Sequence, residues 1–200
     1  MDIELKNINP KFAELFIQTF GFTNEEFALF LSFFQVKVIS KKKYYLLAGE
    51  ICKAKAYLNK GCARNFVVDE KGHERILFFS FEDWWVGDFD SYYSGKPGTN
   101  YVQMLEDSEL LIISKENFQQ LELEIPKLQQ WYAYKMQRSA SATRNRIEEM
   151  KTLSAEERYL HLLKKQPHIF ERIPLQYIAS YLNIEPQSLS RMRNRLTTRH

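Results

Sequence analysis

Apolar positions follow three different rhythms along the chain. Near the start, Thr23-Asn-Glu-Glu26 is a capping-box pattern. Phe27, Phe30, Leu31 and Phe34 follow at helical spacing and predict a short packing helix. From Val36 the rhythm shortens. β-rich runs recur at Val36–Ser40, Tyr44–Leu47, Lys55–Asn59, Arg64–Val68, Arg75–Ser80, Tyr101–Leu105 and Glu109–Ile113. Ala48-Gly49-Glu50, Lys60-Gly61 and Glu70-Lys71-Gly72 are turn candidates between them. Evenly spaced short strands predict an antiparallel barrel or sandwich, an architecture that often encloses a small ligand. Asp83–Asn100 interrupts the series with polar, aromatic and turn-forming residues. It is expected to be a long loop, either functional or a cap over the sheet.

Beyond Glu116 the pattern becomes helical, and Pro126 stands near the start of a stretch reaching Met150 or Lys151. Ala133, Met136, Ala140, Thr143, Ile147 and Met150 alternate three and four residues apart, a heptad seam suited to a partner helix. Periodicity alone leaves open a helix packed on its own domain. A further capping box, Ser154-Ala-Glu-Glu157, opens a helix that carries Tyr159, Leu160, Leu162 and Leu163 and ends before Pro167.

The last rhythm carries the function. Leu175, Ile178, Ala179 and Leu182 mark one buried face of a short helix. Asn183-Ile184-Glu185 follows, and Asn tolerates the left-handed conformation of a sharp turn. Pro186 suits the first turn of the next helix, whose inner face is Leu189, Met192 and Leu196. This is the layout of a helix-turn-helix, whose second helix enters the DNA major groove. Gln187, Ser188, Arg191, Asn194 and Arg195 fall on its outer face. Arg pairs with guanine and Gln with adenine, while Arg193, Arg195 and Arg199 suit phosphates. A plain helical hairpin with a charged face is the bland alternative.

Charge sharpens this picture. The net charge is only +3, but residues 154–200 carry eight Lys/Arg against four acids, and no acid follows Pro186. Such a basic end is a footprint for phosphates. Hydrophobic residues make up 44% and aromatics 14%, enough for packed cores, and seven Gly and six Pro argue against long disorder. Cys52 and Cys62 form neither a disulfide framework nor a metal site, and a redox role is the sharper, less favoured option. The four histidines lie far apart with no metal or nucleophile spacing, so neither an enzyme nor a cofactor is expected. Asp83, Asp88 and Asp90 read as a solvated turn rather than a cation site. No apolar run reaches the roughly 18 residues of a membrane span and no signal pattern opens the chain, so the expected compartment is the cytoplasm.

The order of roll, long helix, capped helix and helix-turn-helix resembles the Crp/Fnr (catabolite-activator-like) regulators over nearly the whole chain. The resemblance rests on Tyr45-Leu-Leu-Ala-Gly-Glu50, Lys60-Gly61, Lys71-Gly-His-Glu-Arg-Ile-Leu77 and Trp84-Trp-Val-Gly-Asp88. In the C-terminal part it rests on Ser154-Ala-Glu-Glu-Arg-Tyr-Leu160 and Ile178–Leu196. It implies an α+β chain: an N-terminal antiparallel, jelly-roll-like β-roll sensor over residues 1–120, a dimerisation helix over 121–151 and a helix-turn-helix domain over 152–200. It also implies a homodimer on a pseudo-palindromic double-stranded promoter site, RNA polymerase as a further partner, and base-reading positions at Pro186, Gln187 and Arg191.

Two departures limit the carry-over. Cyclic-nucleotide binders of this family have Gly-Glu followed by Arg-Ser or Arg-Thr about ten residues on. Here Gly87-Asp88 and Pro97-Gly-Thr-Asn100 take those places, and no arginine occurs from Asp83 to Asn100. A buried phosphate would lack its bidentate partner, and Lys96 supplies only a point charge. Cyclic AMP is therefore disfavoured, and Gly87, Asp88, Tyr92, Lys96 and Thr99 are left as a pocket for an unidentified small-molecule effector. Only Thr197–His200 follow the recognition helix, so the family's β-hairpin wing is expected to be largely absent. A cyclic-nucleotide-responsive regulator and a non-DNA sensor or interaction module are the alternatives. The second would need apolar anchors where the outer face has Gln, Ser, Asn and Arg.

Overall fold

The computed structural model describes residues 8–197. The chain opens with α1 (Pro10–Glu14), which runs on as a π-helical turn (Leu15–Thr19), and then α2 (Asn24–Ser32). Thr23 and Glu26 close the expected capping box at the start of α2. Residues 10–19 were not legible as a helix. Their Phe12 and Phe16 are fully buried against Trp131, more than a hundred residues on.

Eight strands follow: β1 (Gln35–Ile39), β2 (Tyr44–Leu46), β3 (Ala54–Lys60), β4 (Ala63–Val68), β5 (Glu74–Ser80), β6 (Trp84–Val86), β7 (Tyr101–Met104) and β8 (Ser108–Ser114). They form two four-stranded sheets in the orders β1-β8-β3-β6 and β2-β7-β4-β5, with every pairing antiparallel. Leu46, Ala56, Leu58, Ala63, Val86, Val102, Met104 and Leu110, drawn from both sheets, pack as one core and fill the roll. Gly61, at the β3–β4 turn, has φ +105°, and a Cβ there would come 2.8 Å from Cβ of Ser108. Only glycine fits.

The segment Asp83–Asn100, expected as an open loop, is largely structured. It holds β6 and α3 (Phe89–Ser94). Both are too short for periodicity to reveal. Asp88 nucleates α3 by accepting from Ser91 N at 3.0 Å, and Gly95 ends it with φ +70°.

After α4 (Lys115–Glu124) the chain breaks at Ile125-Pro126 and enters α5 (Leu128–Thr152). The expected boundary at 120/121 thus falls inside α4. The inner face of α5 buries Leu128, Trp131 and Lys135. Trp131 packs edge-on to Phe12, Phe16, Phe30 and Trp85. Asp83, at φ +69°, bonds to the Lys135 ammonium, to the Arg138 guanidinium at 2.9 Å and to the Tyr57 hydroxyl at 3.2 Å. It is a half-buried ion-pair hub and not the solvated turn expected. Among the described residues no group of His, Cys, Asp and Glu is arranged to hold a metal ion, and no helix is long and apolar enough to cross a membrane.

The C-terminal helices are α6 (Ala155–Lys165), α7 (Ile169–Arg172), α8 (Leu175–Leu182) and α9 (Pro186–Thr197). Tyr159, Leu162, Ile169, Ile173, Ile178, Ala179, Leu182 and Leu189 form their core, and Cys62 and Leu105 of the roll belong to the same apolar cluster. The two halves are therefore packed together. Ser180 of α8 meets the edge of β5 as a strand would: its hydroxyl accepts from Ile76 N at 3.2 Å and donates to Glu74 O at 3.2 Å. Arg146 of α5 donates to Leu77 O, to Ile76 O at 2.9 Å and to Tyr181 O at 3.1 Å. These bonds satisfy backbone groups that an edge strand otherwise leaves open. Arg172 adds a third tie, reaching Glu82, Glu106 and the carbonyl of Gly61 at 2.7–2.9 Å.

Candidate nucleic-acid interface

Helices α8 and α9 owe their mutual angle to three residues. Asn183 takes φ 54°, ψ 49°. Its N–H donates to Ser180 O at 3.1 Å, and Ile184 N donates to Ala179 O at 3.0 Å. This is a Schellman closure, with Asn in the left-handed position that Gly usually holds. Arg158 of α6 adds bonds at 3.1 and 3.3 Å to Leu182 O, so the last carbonyls of α8 are satisfied by side chain as well as backbone. Pro186 is the first residue of α9, where its missing N–H costs nothing.

Below the turn, Ile178, Ala179, Leu182 and Leu189 are buried, while Met192 and Leu196 pack at the core's margin. The opposite face of α9 carries Gln187, Arg191, Asn194 and Arg195, all exposed, and half-buried Ser188. Arg191 donates to Ser188 Oγ at 3.4 Å, which gathers two of these side chains. Arg195 is ion-paired with Glu156 of α6, and Arg193 lies over the Phe170 ring at 4.4 Å. Arg193 therefore faces its own domain more than the outer surface. Arg199 lies outside the described residues. The five expected positions thus share one polar, basic helix face.

The loop set behaves differently. Asp88 is 3% exposed, and its carboxylate is spent on Ser91 N at 3.0 Å and Asn100 N at 3.3 Å. Gly98 passes so close that a Cβ there would sit 2.9 Å from Asp88 Cγ. Tyr92 is buried in the roll core, whereas Lys96 and Thr99 are exposed. Gly87 has φ +143°, and a Cβ there would meet Cys52 Sγ at 3.3 Å. Two cavities stand out in the fold, and none of these five residues lines either. The larger, about 520 Å³, lies between the two halves beside Glu82, Arg138, Lys165 and Arg172. Cys52 and Cys62 are free and buried, and burial pushes both thiols up, which suppresses the thiolate that redox chemistry needs.

On α5, Ala133, Ala140, Thr143 and Ile147 are exposed, and Ile147 is 52% accessible. Met136 instead packs at the margin of the aromatic core, and Met150 is half-buried. Lys135 and Trp131, on the opposite face, explain the split. A helix with apolar residues on two sides satisfies the core with one and leaves the other uncovered.

No protein-family model and no curated protein matches the chain. Solved structures do. The catabolite activator protein of Thermus thermophilus aligns with a TM-score of 0.57 at 22% identity, over 90% of this chain and 85% of that one. CLP of Xanthomonas campestris, described as a c-di-GMP responsive global regulator, aligns at 0.71 and 16% identity, over 88% of this chain and 92% of its own. FixK2 of Bradyrhizobium japonicum aligns at 0.72 and 12%, over 83% and 85%. The chain has the Crp/Fnr fold. The alignment spans roll, long helix and terminal helices together, so the Crp/Fnr architecture of β-roll plus helical domain extends through this protein.

Proposed function

We propose that the protein is a sequence-specific, DNA-binding transcription regulator of the Crp/Fnr type that works as a homodimer. The observation carrying this is the outer face of α9, where Gln187, Arg191, Asn194 and Arg195 stand exposed on a helix held by a left-handed turn. In a helix-turn-helix such a face enters the major groove. Gln187 and Arg191, one turn apart, would read base edges. Ser188, Asn194 and Arg195 would contact the flanking edges and phosphates. Arg195 would exchange Glu156 for a phosphate. Two copies joined along Ala133, Ala140, Thr143 and Ile147 of α5, with Met136 and Met150 at the margins, would present paired α9 helices to a pseudo-palindrome. RNA polymerase is the partner such a regulator would address. The α9 face offers no large apolar anchor, which disfavours a protein-docking module.

Fluorescence anisotropy with a labelled fragment of the gene's own upstream DNA, at several salt concentrations, tests the proposal. Tight, salt-sensitive binding that survives competitor DNA supports it. A protein that shows no preference for any sequence in a random-site selection is not this regulator.

A further inference from the structure

Two lysines are buried among the described residues. Lys135 has Asp83 for a partner. Lys55 of β3, 3% exposed, has no carboxylate among the described residues within ion-pair distance. Its ammonium sits instead among four rings: Phe118 of α4 at 3.3 Å, Tyr132 of α5 at 3.8 Å, Tyr92 and Tyr93 of α3 at 5.2 and 5.6 Å. The hydroxyls of Tyr93 and Tyr132 meet at 2.7 Å and close the cage from outside. One amine on the roll is thus the common neighbour of the loop helix α3, the connecting helix α4 and the long helix α5.

Ring faces attract a cation, but they replace only part of the hydration an ammonium loses on burial. A carboxylate would supply the rest, and among the described residues none touches it. The charged groups acting on Lys55 are both on α4: Glu122, which favours its charge, and Lys115, which opposes it. Lys115 Nζ also reaches Tyr92 O at 3.5 Å. From α3, Tyr92 is a phenol pushed up by burial, as is Tyr132 from α5, so both stay neutral through the physiological range. Burial pulls Lys55 itself down to about 7.

We infer that Lys55 is a proton-operated wedge between the sensor roll and the long helix: as a neutral amine it packs inside the closed cage, and on protonation it drives α3 away from α5 toward water. The direction follows from linkage. The closed cage binds a proton more weakly than a solvated lysine does, so added protons favour whichever state lets water reach the amine. The output on DNA rests on the regulator proposed above. The wedge itself does not, and neither DNA nor a second subunit is needed to detect it.

The test is amide hydrogen exchange of residues 89–95 in the full chain at pH 6 and pH 9, expressed as protection factors, beside an NMR titration of the Lys55 side chain. In the wild type, protection should fall by more than about tenfold on acidification, since between pH 9 and the cage's value near 7 a solvated amine holds a proton that the caged one does not. Lys55→Met should give the same protection at both pH values. Lys55→Arg, always charged, should be poorly protected at both. A Lys55 amine that stays protonated to pH 9, flat wild-type protection, or an undiminished pH response in Lys55→Met overturns the inference. Because wild type alone decides two of these outcomes, a variant that fails to fold does not rescue it. Lost DNA binding with an intact response counts against the regulator alone.

Discussion

Arg172 and Glu82 face each other across the junction of the roll and the C-terminal helices, with both guanidinium NH groups on the carboxylate at 2.8 and 2.9 Å. The pair is shared with Glu106 and with both backbone groups of Gly61, since Gly61 N donates to Glu82 at 3.0 Å. One arginine therefore reads three features of the roll at once. Bidentate pairing of this kind fixes orientation as well as distance.

This junction should fail in acid. Burial raises the Glu82 carboxyl, but bonds from Arg172 and Gly61 outweigh it and leave the group below its ordinary value. A depressed carboxylate stabilises the fold above its unfolded value, near 4.5, and loses that contribution as pH falls through the folded value. Denaturation between pH 7 and pH 3 should show the C-terminal helices uncoupling first. Arg172→Ala should cost about 1–3 kcal/mol at pH 7 and flatten the acid dependence.

The turn before α9 makes a separate prediction. Asn183 at φ 54° is where a β-branched residue clashes and glycine does not. Asn183→Val should destabilise the domain by about 1–2 kcal/mol in urea unfolding. Asn183→Gly should cost much less. Equal losses from both would mean that the Asn side chain, and not its backbone, holds the turn.

The dimer can be tested where the isolated chain would not notice. Ile147 is half exposed and Ala140 is exposed, so a charge there costs the protomer within about 0.5 kcal/mol. Ile147→Asp or Ala140→Asp should convert the protein to a monomer in sedimentation at micromolar concentration while its melting temperature measured as a monomer is kept. A wild type that sediments as a monomer under those conditions removes the interface altogether.

On DNA, two arginines should part company. Arg191→Ala should weaken specific binding by about 1–3 kcal/mol and relax preference at one base position. Arg195→Ala should weaken all sequences about equally and reduce the salt slope by about 1. Site selection and salt titration of both variants measure the difference.

The elements legible in the sequence were those whose cause is local. The capping boxes at Thr23 and Ser154 formed as written, and the Asn183 turn adopted the conformation its residue type suggested. Seven strands lie within a residue or so of where the β-rich runs and their turns placed them. The elements that escaped are held by distant partners. Phe12 and Phe16 become a helix's buried face only once Trp131 arrives. β6 is a three-residue strand fixed by pairing with β3, and α3 exists because Asp88 caps it. Buried and half-buried cations are illegible for the same reason. Nothing near Lys55, Lys135 or Arg146 in sequence distinguishes them from surface residues, because Tyr132, Asp83 and the Ile76 carbonyl lie 50 or more positions away. The outer α9 face was legible because its argument needs only one helix.

The bonds from Ser180 and Arg146 to β5 have a consequence for how the chain can be divided. They make the C-terminal half a lid on the border of a sheet. A fragment cut after residue 145 would leave the Ile76 and Leu77 carbonyls bare, flanked by exposed Phe78, along a strand free to recruit a neighbour. Modularity on paper would become stickiness in the tube, and the roll is better regarded as a domain that borrows its solubility from the helices packed against it.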